Sequence, residues 1–170
     1  LADSDMGQFE AAEAGFSGAA IQLAINRSDD RAAFLEDALR TYRALDALNQ
    51  RKWTQALSIL EASKENVFPL RDPITLSLLN RGERGASQGL SLVTTRDRSY
   101  WLILDVQQRY VRSVALLALK RFDESRDALE GANGATERFK LLESVERDAT
   151  PSWLRSRLQL QQARIEARAH

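Results

Sequence analysis

Apolar residues recur at steps of three and four over most of the chain, and no stretch alternates with a period of two. That spacing lines up one face of an α-helix. It predicts helices from Asp5 or Met6 to Ile25, from Ser28 to about Leu48, from Lys52 to Glu65 and from Asp72 to about Val93. Further helices are predicted from Arg98 to Leu119, Phe122 to Glu130, Thr136 to Arg147, and Thr150 onward. Leu1 to Asp5 is short and polar, and is expected to lack order. The second helix carries Phe34, Leu35, Ala38, Leu39, Tyr42, Leu45 and Leu48 on its apolar stripe. The fifth, with Trp101, Leu104, Val106, Tyr110 and Val111, is the most apolar and is the expected centre of the core.

The boundaries have local chemistry. Ser28-Asp29-Asp30 and Asp72-Pro73 place a capping oxygen, then an acid or a proline, in a first helical turn. Ala132-Asn133-Gly134 reads as a stop, since Asn and Gly tolerate positive φ. Gly82, Gly85 and Gly89 fall on one face of the fourth helix, where each costs roughly 1 kcal/mol against Ala. Either a neighbouring helix approaches closely there, or the helix breaks near Gly85.

One arrangement occurs three times. Phe9, Ala12, Phe16 and Ala19 share a helix face, as do Trp53, Ala56, Leu60 and Ser63, and Phe122, Ser125, Leu129 and Ala132. A short polar turn precedes each aromatic, and an apolar helix precedes the turns before Trp53 and Phe122. The small residue lets a neighbouring helix come close while larger groups fill the space beside it. Ala56 is therefore predicted to lie at a helix–helix contact, with Ala47 and Ala62 on less constrained faces.

Composition narrows the function. The 170 residues suffice for one domain with a substantial core. Lys+Arg and Asp+Glu both number 24, so no whole-chain attraction to nucleic acid or an anionic membrane is indicated. Without cysteine, disulfides, thiolate metal sites and thiol catalysis are excluded. No apolar run approaches the roughly 20 residues that span a bilayer, and no leader follows Leu1, which favours the cytoplasm over the periplasm. Both ends read as interior positions of a longer chain.

Few motifs suggest chemistry. Gly85-Ala86-Ser87-Gln88-Gly89 fits G-x-S-x-G, but a nucleophile elbow needs a preceding strand and a His with an acidic partner. Leu78 to Arg81 reads as helix, and the single His is His170. Small residues at a helix contact account for the match. Asn26-Arg27-Ser28 fits a glycosylation sequon, although Ser28 already serves as a cap. Glu36-Asp37 and Asp123-Glu124 are expected on exposed faces or first turns. Arg157, Gln161, Arg164 and Arg168 form a basic stripe on the last helix, beside Arg155. Asp105, Gln108, Arg109 and Arg112 form a polar face opposite the expected core of the fifth helix.

Ala12-x3-Phe16 matches the A-x3-F of the second helix of a tetratricopeptide repeat, and Ala56-x3-Leu60 and Ser125-x3-Leu129 match it with conservative changes. The chain thus resembles that family. Phe9 to Trp53 exceeds the family's period of about 34, while Trp53 to Phe122 is close to two periods. Arg43 also stands where the family places a large apolar residue. The resemblance implies an all-α fold of antiparallel helical hairpins stacked as a right-handed superhelix, with residues 1–170 forming one domain. It implies a non-catalytic interaction module that binds a protein or peptide segment and needs no cofactor or metal. First helices line the concave side of such superhelices, which makes Arg109 and Arg112 candidate partner contacts. Arg157 and Arg164 on the basic stripe are the others. The Lys and Asn set with which some members grip a peptide carboxylate is not found. Bacterial proteins that join loosely spaced, Arg- and Ala-rich repeats to a caspase-like CHAT peptidase look similar, and a regulatory or substrate-recruiting region of such an enzyme is the alternative.

The chain is expected to hydrolyse neither generic ester nor peptide substrates. Turnover abolished by Ser87→Ala would overturn that reading.

Overall fold

The computed structural model describes residues 2–25, 32–61, 95–146 and 152–169. These form seven helices: α1 (Ala2–Asp5), α2 (Phe9–Ile25), α3 (Ala32–Asn49), α4 (Trp53–Glu61), α5 (Thr95–Ala118), α6 (Phe122–Glu146) and α7 (Ser152–Ala169). No strand occurs among the described residues, and the chain is all-α. The helix expected over 72–93, the sequences at 26–30 and 150–151, and Ala62 lie outside them.

Three connections are the same turn. Gly7, Arg51 and Lys120 follow α1, α3 and α5 with φ of 78, 58 and 63°. In each turn the left-handed residue donates its N–H three residues back, and the next residue donates five back. The pairs are Gly7 to Ser4 and Gln8 to Asp3, Arg51 to Leu48 and Lys52 to Ala47, and Lys120 to Leu117 and Arg121 to Leu116. Carbonyls left open at the helix end are thereby satisfied. The carbonyls of Gln8, Lys52 and Arg121 then accept from Ala12, Ala56 and Ser125, opening the next helix. Two of the three left-handed positions are not glycine, at a cost of about 1–2 kcal/mol each. Packing on both sides of the turn must outweigh that.

The turns set the packing. α1, α3, α5 and α7 form a row in which each touches the next. α2 lies against α1 and α3, α4 against α3 and α5, and α6 against α5 and α7. α5 is thus covered from several sides, and Val106, Tyr110, Val111, Ala115, Leu116 and Leu117 are buried along it. All three copies bury the small position, Ala12, Ala56 and Ser125. Phe16, Leu60 and Leu129 are buried one turn later. The leading aromatics are less enclosed, with Phe9 and Trp53 half-buried and Phe122 exposed.

Four expectations change. Ala2–Asp5 is not a loose end but a helical turn, tied down by Asn49 Nδ2, which donates to Ser4 Oγ and Asp5 Oδ1, each at 3.0 Å. Gly7 then separates it from α2. The α3 stripe is rotated from the apolar pattern: Leu35 is exposed, while Asp37 and Thr41 are buried, because α5 supplies their hydrogen-bond partner. Ala47 is buried beside Ala44 rather than lying on a freer face. Finally, α6 does not stop at Ala132-Asn133-Gly134 but continues to Glu146. Ala132 is fully buried in the core there. Gly131 makes room for a neighbour, since a Cβ at that position would collide with the Arg109 guanidinium.

Ala56, at 0% exposure, leaves no space for a larger side chain. Ala56→Leu is expected to cost about 1–3 kcal/mol in urea unfolding. Thr54→Leu on the exposed face of α4 should stay within about 0.5 kcal/mol. Equal midpoints would show that the small residue is incidental.

Candidate functional site

The four candidate arginines lie on two helices, Arg109 and Arg112 on α5, Arg157 and Arg164 on α7. Arg109 donates Nε to both Asp105 oxygens at 3.1 Å and lies across Gly131. The Arg157 guanidinium stacks over the Trp153 ring, 5.3 Å from its centroid. Arg112 and Arg164 are exposed. Arg168 Nη1 reaches the Leu117 carbonyl at 3.5 Å, where a cation complements the C-terminus of α5. Gln161 does not belong to this basic face. It is fully buried, in register with Leu154, Leu158 and Ile165, and it joins α7 to α5.

Two buried polar clusters fix the helices laterally. Gln108 Nε2 donates to Asp37 Oδ2 at 3.0 Å and to Thr41 Oγ1 at 2.8 Å, while Thr41 Oγ1 donates to the Asp37 carbonyl. Asp37 and Gln108 were both expected on exposed faces. The correction has one cause: α5 is packed on the side where its sequence looks solvated. In the second cluster Ser125 Oγ donates to the Ser113 carbonyl at 2.8 Å, and Gln161 Nε2 donates to Ser113 Oγ at 3.1 Å. It pins α5, α6 and α7 together.

A cleft opens between α2 and α4, with α3 as its floor. Its two lobes, of about 410 and 530 Å³, meet at Arg43 and Ile59. Ala20, Leu23, Ala24 and Leu39 give the smaller lobe an apolar lining. The larger lobe is the more polar of the two and includes Glu10, Glu13, Asp46, Lys52 and Gln55. Arg43, the departure from the repeat pattern, spans the cleft and pairs with Glu13 through Nη2 to Oε1 at 3.1 Å. Its Nε is buried without an acceptor. Asp46 is only 5% exposed. Gln50 Nε2 donates to its Oδ2 at 2.6 Å, but Oδ1 has no donor. The sequence gave no hint that Asp46 is buried.

Arg121 and Glu124 form an ion pair at the start of α6. A side-chain hydrogen bond from Arg121 holds the Glu124 carboxyl below its ordinary range, and the same bond raises the guanidinium. Its contribution is present above the unfolded carboxyl's pKa and is lost as pH falls through the folded value. Both groups are exposed, as expected for Asp123-Glu124. Among the described residues no group of three His, Asp or Glu could hold a metal, and no helix is long and apolar enough to cross a membrane. The G-x-S-x-G match, the sequon and His170 fall outside them.

Gln108→Ala removes the donor shared by Asp37 and Thr41 and should cost about 1–3 kcal/mol. Arg112→Ala, exposed on the same helix, should change stability by less than about 0.5 kcal/mol in the same denaturant titration.

No protein-family model, curated protein or solved structure matches the chain.

Proposed function

We propose that the chain is a non-catalytic protein-interaction module, a tetratricopeptide-like stack of helical hairpins that docks a helical segment of a protein partner on the outer face of α2. The observation that carries this is the composition of that face. Of the 17 residues of α2, Ala12 and Phe16 are buried. Ala11, Ala14, Gly15, Gly18, Ile21 and Ile25 are exposed, the two isoleucines by 60 and 69%. A helix apolar nearly all round is stable when covered, and a contiguous apolar patch marks an interaction site.

The repeated register indicates what covers it. Counted from the leading aromatic, Gly15 and Ala19 match Ala128 and Ala132 of α6. Those two are buried where α6 packs against the rest of the core. Nothing lies within 4 Å of a Cβ built on Gly15 or Gly18, so a second backbone can approach closely. The fitting partner is therefore an amphipathic helix, with anchors at i, i+3, i+4 and i+7.

Selection from a displayed library of helical peptides is expected to yield ligands with that apolar spacing. Ala14→Arg should weaken them at least about tenfold while moving stability by less than about 0.5 kcal/mol. Absence of ligands, or ligands indifferent to Ala14→Arg, would overturn the reading. So would a large loss of stability, because the face would then be covered within the chain.

A further inference from the structure

We infer that the polar lobe between α2 and α4 is a second binding site, which receives a lysine or arginine residue of a protein segment on Asp46. It rests on the interaction reading only in that a protein carries the ligand; the site itself is separate from the apolar face of α2.

The argument begins with two unmet hydrogen-bonding groups three residues apart on α3. Asp46 Oδ1 lacks a donor and Arg43 Nε lacks an acceptor, and both atoms are buried at the floor of the lobe. A buried polar group left unmade costs about 1–3 kcal/mol, more when it is charged. A ligand that supplies one donor and one acceptor close together relieves both. An amino-acid residue within a peptide does so, with a cationic side chain as donor and its backbone carbonyl as acceptor. The lobe, at about 530 Å³, falls in the range of about 300–1,000 Å³ typical of ligand clefts.

Charge selects the side chain. Glu13 is engaged by Arg43. Glu10 and Asp46 remain, faced by Lys52 at the rim, and among the described residues neither Glu10 nor Lys52 has an ion-pair partner. The surplus is negative. An ammonium or guanidinium satisfies it with several donors at once, and charge-assisted bonds of this kind are the stronger class. Access requires one motion. The one side-chain hydrogen bond that Gln50 makes among the described residues is to Asp46 Oδ2, and rotation of that half-buried amide frees Oδ2 for a new donor. The cation then takes the place of the amide and reaches the second oxygen as well.

The probes are blocked single residues, Nα-acetyl-lysine N-methylamide and Nα-acetyl-arginine N-methylamide, with the norleucine and glutamate equivalents as controls. Titration into the isotopically labelled chain is followed by the side-chain N–H resonances of Arg43, Gln50 and Gln55. The basic probes are expected to shift all three saturably, and the controls not to. Asp46→Asn keeps the acceptor for Gln50 but removes the charge, and should weaken binding at least about tenfold. Glu10→Gln, exposed and unable to disturb the fold, should weaken it about two- to threefold. The inference is overturned by unsaturable shifts, by equal shifts with norleucine, or by binding indifferent to Asp46→Asn. Should Asp46→Asn fail to fold, an undiminished affinity in Glu10→Gln together with no preference for the basic probes overturns it alone. These probes contain no helix, so their failure leaves the α2 reading standing, and failure of the library selection leaves the cleft result standing.

Discussion

The need to satisfy backbone carbonyls at helix ends governs this molecule. At Gly7, Arg51 and Lys120 the chain meets it identically, with one left-handed residue and two N–H groups folded back onto the helix just completed. The turn fixes where the next helix begins, and so which residue lies three positions beyond its first aromatic. That residue faces the preceding helix at short range, and only a small side chain fits: Ala12, Ala56 or Ser125. Ser125 also uses its hydroxyl, bonding to the Ser113 carbonyl across the hairpin. Turn and small residue are two parts of one constraint.

Four helices, α3, α4, α6 and α7, pack against α5, and that enclosure determines the chemistry of its neighbours. Polar side chains buried on a helix covered from several sides need protein partners. Gln108 finds Asp37 and Thr41 on α3, and Ser113 finds Ser125 and Gln161 on α6 and α7. These bonds are directional where apolar packing is not, and they set how the helices sit along one another. They add specificity of arrangement to a core that alanine and leucine make cohesive.

Elsewhere the packing leaves apolar residues exposed and polar groups unpaired. α2 has the small and apolar residues of a covered helix but buries only two of them, Ala12 and Phe16. Beside it, α2 and α4 stand apart over α3 and leave Arg43 and Asp46 with unmet groups. The proposed helix-docking face and the proposed cation site lie on adjacent sides of one helix. A partner helix seated on the first and a basic residue entering the second are compatible demands.

The sequence by itself determined the helical class, most helix positions and the threefold small-residue pattern, because these rest on periodicity and local sterics within a few residues. It could not determine that α6 would run through Gly131 and Gly134. Local preference there favours a stop, whereas burial of Ala132 and the passage of Arg109 over Gly131 favour continuation, and those depend on α5. Nor could it place Asp37, Gln108 and Gln161 inside. A polar residue on a helix looks solvated until the helix that supplies its partner is known. Asp46 is the clearest case: nothing within its own helix distinguishes it from an exposed acid. Only the tertiary structure turned it into a buried carboxylate with one oxygen unpaired.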